Sequence, residues 1–431
     1  MPNNAFLSVR RGIFTALFTT FILLNLAWAT PREVSLYDFK GGSNDGSAPV
    51  GGLVADQNGN LYGTTGTGGS YTDCSPFGQT CGVVFGLTPN GGSWTESVLY
   101  TFTGGADGGE PLAGLTIDAQ GNLYGTTAIG GTFGNGTVFT LAFASGSWTE
   151  SVLYSFRGGV DGAYPQAAVT LHNGSIYGTT YAGGGNSCLG APSGCGTIFQ
   201  LQPGNNGWTE NVLYRFTNGA DGAFPYASLI LDPAGNLYGA TTQGGYLSGD
   251  CAPYGCGNVF QLRHGPSGWT LNPLHAFTYD VDGSGPIGGL LAGPHDTLYG
   301  TASDGGAGFA GTVFQLAYAK GTWTFSLLYS FSGPDGSAPE GTLVRKGKYL
   351  FGTTYSGGAG SGCFFGGPCG TVFMLQAAPS GWKETVLHSF TNNGTDGTYP
   401  EAGLTLGKAA VYGTTSAGGP ADKGTVFAIT Q

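Results

Sequence analysis

The residues best equipped to do chemistry in this chain are carboxylates. Glu340 and Glu401 each follow a proline in two copies of one repeated motif. A protonated carboxyl held against an ionised one is the equipment of general acid–base cleavage of glycosidic bonds. Glu110, which precedes the proline of another copy, is the third candidate. The motif also supplies aromatics: Tyr164, Phe224 and Tyr399 before the proline, and Tyr226 after it. Aromatic faces with scattered carboxylates suit a sugar or a peptide, and packing between loops is their other use.

The motif itself is Asp-Gly-x-x-Pro. It starts at Asp45, Asp107, Asp161, Asp221, Asp282, Asp335 and Asp396. Asp-Gly before Pro is turn chemistry, in which the carboxylate accepts backbone N–H groups. A ring of acidic contacts to a cation or ligand is the alternative.

Eight cysteines fall in four local pairs: Cys74 and Cys81, Cys188 and Cys195, Cys251 and Cys256, Cys363 and Cys369. Six, six, four and five residues separate the partners, wider than most zinc pairs, and three of the pairs have no histidine close by. Disulfides within each loop are expected, with zinc as the alternative. No Gly-x-Ser-x-Gly elbow and no His-Glu-x-x-His occurs. His275 and His388 stand where other copies carry a strand tyrosine. The reading therefore includes no cofactor and no metal, and the glutamates are the whole catalytic case.

Composition narrows the partners. The 431 residues include 84 Gly, 14 Lys+Arg and 25 Asp+Glu, for a net charge of −11. So few basic residues exclude phosphate-backbone binding, and hence nucleic acid. Aromatics at 13% and hydrophobics at 40% exclude a disordered chain. Arg10 and Arg11 precede an apolar run from Ile13 to Trp28, followed by Ala27-Trp28-Ala29. This predicts a signal peptide over residues 1–29, and hence an exported protein, secreted or periplasmic, with no membrane span after cleavage.

The elements that position these residues come in seven copies. The tag Leu-Tyr-Gly-Thr-Thr, or a variant, begins at Leu61, Leu123, Ile176, Leu237, Leu298, Leu350 and Val411. Asp-Gly-x-x-Pro precedes each tag, a Thr-Val-Phe-x-Leu strand follows it, and six copies end in a Trp-bearing strand running to Leu-Tyr-x-Phe. Bounded by Gly, Asn and Asp turns, each unit reads as four short strands. Seven such units predict an all-β, seven-bladed β-propeller occupying residues 30–431 as one domain. The seventh Trp strand is missing, but Glu33 to Phe39 matches Glu96 to Phe102. The N-terminal strand is therefore expected to complete the last blade and close the ring. Alternating strand direction puts the Asp-Gly loops and the cysteine loops on one face.

The units Asp-Gly-x-x-Pro, Gly-Asn-Leu-Tyr-Gly-Thr-Thr-x-x-Gly-Gly and Gly-Thr-Val-Phe-x-Leu resemble the GloVer tandem repeat of exported bacterial proteins, over about residues 33–431. Strand order also resembles kelch propellers, although the kelch consensus differs. The resemblance implies fold and export, and supplies no catalytic residues. The functional expectation is a monomeric, non-enzymatic binding or scaffold propeller, with no membrane span after signal cleavage, whose partner is an extracellular polysaccharide or protein. A secreted carbohydrate-active hydrolase or lyase and a purely structural module are the alternatives.

Overall fold

The computed structural model describes residues 31–430 except 73, 75–79, 186, 190–192, 364–365 and 380. The signal peptide expected over residues 1–29 lies outside the described residues. Seven four-stranded antiparallel sheets form the blades. In the first blade the strands run outward as Val54–Ala55, Leu61–Thr65, Val83–Asn90 and Ser93–Thr101. The other blades repeat this order.

The tag glycine explains much of the packing. A Cβ on Gly63 would lie 2.6 Å from the ring of Phe85, and one on Gly239 would lie 2.7 Å from that of Phe260. The glycine therefore makes room for a fully buried phenylalanine on the next strand. Third strands are buried on both faces: Val83, Val84, Phe85 and Leu87 are all solvent-inaccessible. Fourth strands alternate exposed and half-buried residues, as an outer strand with one face on its neighbour should.

Adjacent blades are joined by aromatics and hydrogen bonds. The phenylalanine ending each outer strand meets the third-strand phenylalanine of the next blade, as Phe102 does Phe139 at 5.1 Å between centroids. Nearer the axis, the first tag threonine donates across the seam: Thr64 Oγ1 to the Ala113 carbonyl at 2.7 Å, and Thr353 Oγ1 to the Ala402 carbonyl at 2.8 Å.

The ring closes through the N-terminus. Arg32–Asp38 pairs antiparallel with Thr425–Thr430 as the outer strand of the seventh blade. Its register shifts between Ser35 and Tyr37, as the first blade's outer strand shifts opposite Val84 and Phe85. The same bulge in both strands confirms the alignment of Glu33 with Glu96. Thr414 Oγ1 then donates to the Gly51 carbonyl at 3.2 Å, joining the last blade to the first.

All four cysteine pairs form disulfides within their loops. Four bridges indicate an oxidising, non-cytoplasmic location. Among the described residues, no helix is long and apolar enough to cross a membrane.

Candidate functional site

The Asp-Gly-x-x-Pro loops build the mouth of the central channel. Each aspartate is held by protein donors. Asp161 accepts from Tyr154 Oη at 2.9 Å and from the Arg157 N–H at 3.0 Å. Asp45, Asp107, Asp221 and Asp335 accept from a strand tyrosine in the same way. Asp282 and Asp396 face His275 and His388 Nε2 at 2.9 and 3.1 Å. None of the seven aspartates lines the channel.

The residue before the proline has an unusual backbone. Ala48, Glu110, Tyr164, Phe224, Gly285, Ala338 and Tyr399 all have φ between 53° and 61°. For a bulky side chain this left-handed region costs about 1–2 kcal/mol. The surroundings over-determine it. The Tyr399 N–H donates to the Cys369 carbonyl at 3.0 Å, and the Tyr399 carbonyl accepts from the Ser416 N–H at 3.0 Å. Glu110 and Phe224 make the same pair of bonds, to Cys81 and Ala128 and to Cys195 and Thr242. These bonds also join the Asp-Gly loops to the cysteine loops on one face.

The residue after the proline points the other way, into the channel. Val50, Leu112, Gln166, Tyr226, Ile287, Glu340 and Glu401 all line a cavity of about 640 Å³. Its wall is apolar at Val50 and Leu112 and acidic at Glu340 and Glu401. Burial, then the neighbouring Glu401 carboxylate and Asp304, push the Glu340 carboxyl up to about 7. Burial raises Glu401 as well, and a hydrogen bond with Ser416 opposes it. Tyr226 is pushed up to about 12 by burial and by the charges of Glu401 and Glu340. Near neutral pH, Glu340 can therefore hold a proton beside Glu401. Glu110 is raised by burial but does not line the channel.

Aromatic pairs flank the mouth. Tyr399 stacks on Tyr355 at 4.9 Å, and Phe224 stacks on Tyr181 at 4.9 Å. Tyr181 meets Tyr226 edge-on at 6.1 Å. Phe224 is only 3% exposed, so the half-buried Tyr181 presents that pair's surface, while Tyr164 is 38% exposed. Tyr355 and Tyr399 border a second hollow of about 780 Å³ with Pro334 and Pro368. Burial, then the Glu401 charge, raise Tyr355. Tyr181 and Tyr355 escaped the sequence reading. Their signal was an aromatic directly after the tag in two of seven copies.

Sequence and fold comparisons converge on architecture. No curated protein matches the chain in sequence. Polysaccharide lyase Uly1 is 10% identical, with a TM-score of 0.51 over 93% of this chain and 99% of that one. A candidate 6-phosphogluconolactonase from Bacteroides uniformis ATCC 8492 is 16% identical, with a TM-score of 0.50 over 83% of this chain and 89% of that one. At such identities the likeness is one of fold alone. The model of the Gloeobacter/Verrucomicrobia repeat matches residues 22–191, 78–252, 185–365 and 247–431. The chain belongs to the Gloeobacter/Verrucomicrobia repeat family.

Proposed function

We propose that this protein is an exported binding propeller, secreted or periplasmic, that takes an extracellular polysaccharide at the channel mouth. The observation that carries the reading is the grouping of Tyr226, Glu340 and Glu401 around one hollow and of the Tyr355–Tyr399 stack around another, with Glu401 and Glu340 close enough to act electrostatically on both Tyr226 and Tyr355. Aromatic faces accept the apolar faces of sugar rings, and two carboxyl groups, one of them protonated near neutral pH, offer a donor and acceptors to hydroxyl groups. The cavity volume is in the range of small-ligand sites, so the channel would hold a chain end or short segment.

One observation favours a second reading. Glu340, raised to about 7 beside Glu401, meets the pKa requirement of a general acid acting near neutral pH. That arrangement would serve hydrolysis or lysis of the same class of ligand. A single experiment separates the two. Residues 30–431 are incubated with a panel of neutral and acidic polysaccharides, and retention and released oligosaccharides are measured in the same tubes. Retention without products supports a binder. Products support an enzyme. A blank on both rejects a polysaccharide ligand and favours a protein partner or a structural role.

A further inference from the structure

The seams between blades carry a repeated polar cluster far from the channel. Its parts are a glutamate on one blade's outer strand, and a tyrosine and aspartate contributed by the preceding blade. Glu96 stands near Asp45 and Tyr37, Glu150 near Asp107 and Tyr100, Glu210 near Asp161 and Tyr154, and Glu384 near Asp335 and Tyr329. At two seams a histidine replaces the tyrosine. Where that histidine is His275, the glutamate is replaced by Phe325, which stacks on the imidazole at 3.9 Å. Only at the seam between the sixth and seventh blades do histidine and glutamate coincide.

There, one donor atom each from Glu33, His388 and Asp396 lie within 4.8 Å of one another. They come from three segments: the N-terminal strand, the sixth blade's outer strand and the loop leading to the seventh blade. His388 Nε2 already lies 3.1 Å from Asp396 Oδ2, and both side chains keep some contact with solvent. Asp396 is further fixed by the Thr391 N–H at 3.0 Å. The charged neighbours on the N-terminal strand, Asp38 and Arg32, have opposite signs.

We propose that Glu33, His388 and Asp396 form a binding site for a zinc-like divalent cation that staples the N-terminal strand to the sixth blade. An imidazole nitrogen with two carboxylates is the donor set of zinc and its neighbours in the first transition series. Calcium and magnesium prefer an all-oxygen shell. Zinc bonds of about 2.0–2.2 Å bring tetrahedral donors roughly 3.5 Å apart, so donors no more than 4.8 Å apart need to close by at most about 1.3 Å. Water would complete the shell. The position gives the ion a purpose, because this strand closes the ring and is held to the seventh blade only by non-covalent contacts.

The test uses untagged mature protein, stripped with a chelator and titrated separately with zinc, calcium and magnesium. Calorimetry and thermal unfolding are followed together. Zinc is expected to bind one equivalent at the seam and raise the melting temperature by about 2 °C or more, whereas calcium and magnesium leave it unchanged. His388→Tyr installs the residue found at the five other seams that lack a histidine, so the fold should survive while the zinc response disappears. Glu33→Gln should weaken zinc at least about tenfold, since even outer-shell partners of a metal are worth that much. No zinc-dependent heat or shift in the wild type overturns the proposal. So does an undiminished zinc response in both variants.

Discussion

Phe390, the last residue of the sixth blade's outer-strand motif, meets Phe427 of the seventh blade edge-on, with ring centroids 5.1 Å apart. The same pair recurs at every seam, from Phe39 on Phe85 to Phe331 on Phe373. These rings are fully buried, and the tag glycine alone leaves room for one member of each pair. Phe390→Ala should therefore cost about 3–5 kcal/mol in urea unfolding. Gly352→Ala adds a single methyl 2.6 Å from the Phe373 ring and 2.8 Å from Leu343 Cδ2. It should cost about 1–3 kcal/mol, as overpacking does. A neutral result for Gly352→Ala would mean that the tag glycine is kept for another reason.

Closure by the N-terminal strand predicts a long-range effect of a short deletion. Removing residues 33–39 takes away the partner of Thr425–Thr430 and the Phe39 ring that packs on Phe85. The seventh blade then exposes a long unpaired edge. Unfolding followed by tryptophan fluorescence and by circular dichroism should lose its single shared transition, and the protein should associate. A truncated form with the original midpoint would show that the ring holds without its last strand.

The seam glutamates make stability depend on pH. Glu96, Glu150, Glu210 and Glu384 are each pushed up to about 7, first by burial and then by a nearby aspartate. One oxygen of each is buried without a hydrogen-bond donor, as is Asp161 Oδ1 beside Glu210. Between the unfolded value near 4.5 and the folded value near 7, the native state holds more protons than the unfolded one. Stability is then greatest below about pH 4.5 as far as these groups go, and it is lost as pH rises through 7. Glu340 in the channel adds the same sign. The depressed aspartates, such as Asp335, act oppositely but only below about pH 4. Glu210→Gln supplies a neutral donor for Asp161, so it should be more stable than wild type at pH 8 and nearly equal to it at pH 5. Equal gains at both pH values would remove protonation as the cause.

The sequence already carried the ring, because seven tags with six Trp strands leave one strand to be supplied, and Glu33 to Phe39 has the matching order. The channel lining was legible for a related reason: variation at Gln166, Tyr226, Glu340 and Glu401 stands out against a constant frame. Side-chain direction was not. Phe224 and Tyr399 share a motif position, yet Phe224 is covered by Tyr181 and Tyr399 borders an open hollow. Each stacks on the tyrosine that follows the preceding copy's tag, 43 and 44 positions earlier in the chain, a pairing made only when the blades come together. The left-handed backbone before the proline was signalled only by Gly285. Nothing in the sequence set the seam glutamates apart, because the tyrosine beside each comes from the preceding blade.

The last prediction separates the site from the scaffold. Tyr399 stands at φ 58°, a conformation that glycine adopts without cost and that Gly285 already occupies in the fifth blade. Tyr399→Gly gives up the stack on Tyr355 but relieves the backbone, so unfolding should change by less than about 1 kcal/mol. If the channel mouth binds polysaccharide, the same variant should lose at least about tenfold in affinity, or about 1.4 kcal/mol. Glu340 gives a second handle. With its carboxyl pushed up to about 7, affinity for a neutral or acidic saccharide should fall as pH passes that value, because a hydrogen-bond donor becomes a negative charge. Glu340→Gln keeps a donor at every pH, so its affinity should stay flat from pH 5 to 8. Loss of binding in Tyr399→Gly with a flat profile in Glu340→Gln locates the ligand at the channel mouth. Full affinity in both variants would move the ligand elsewhere on the disc.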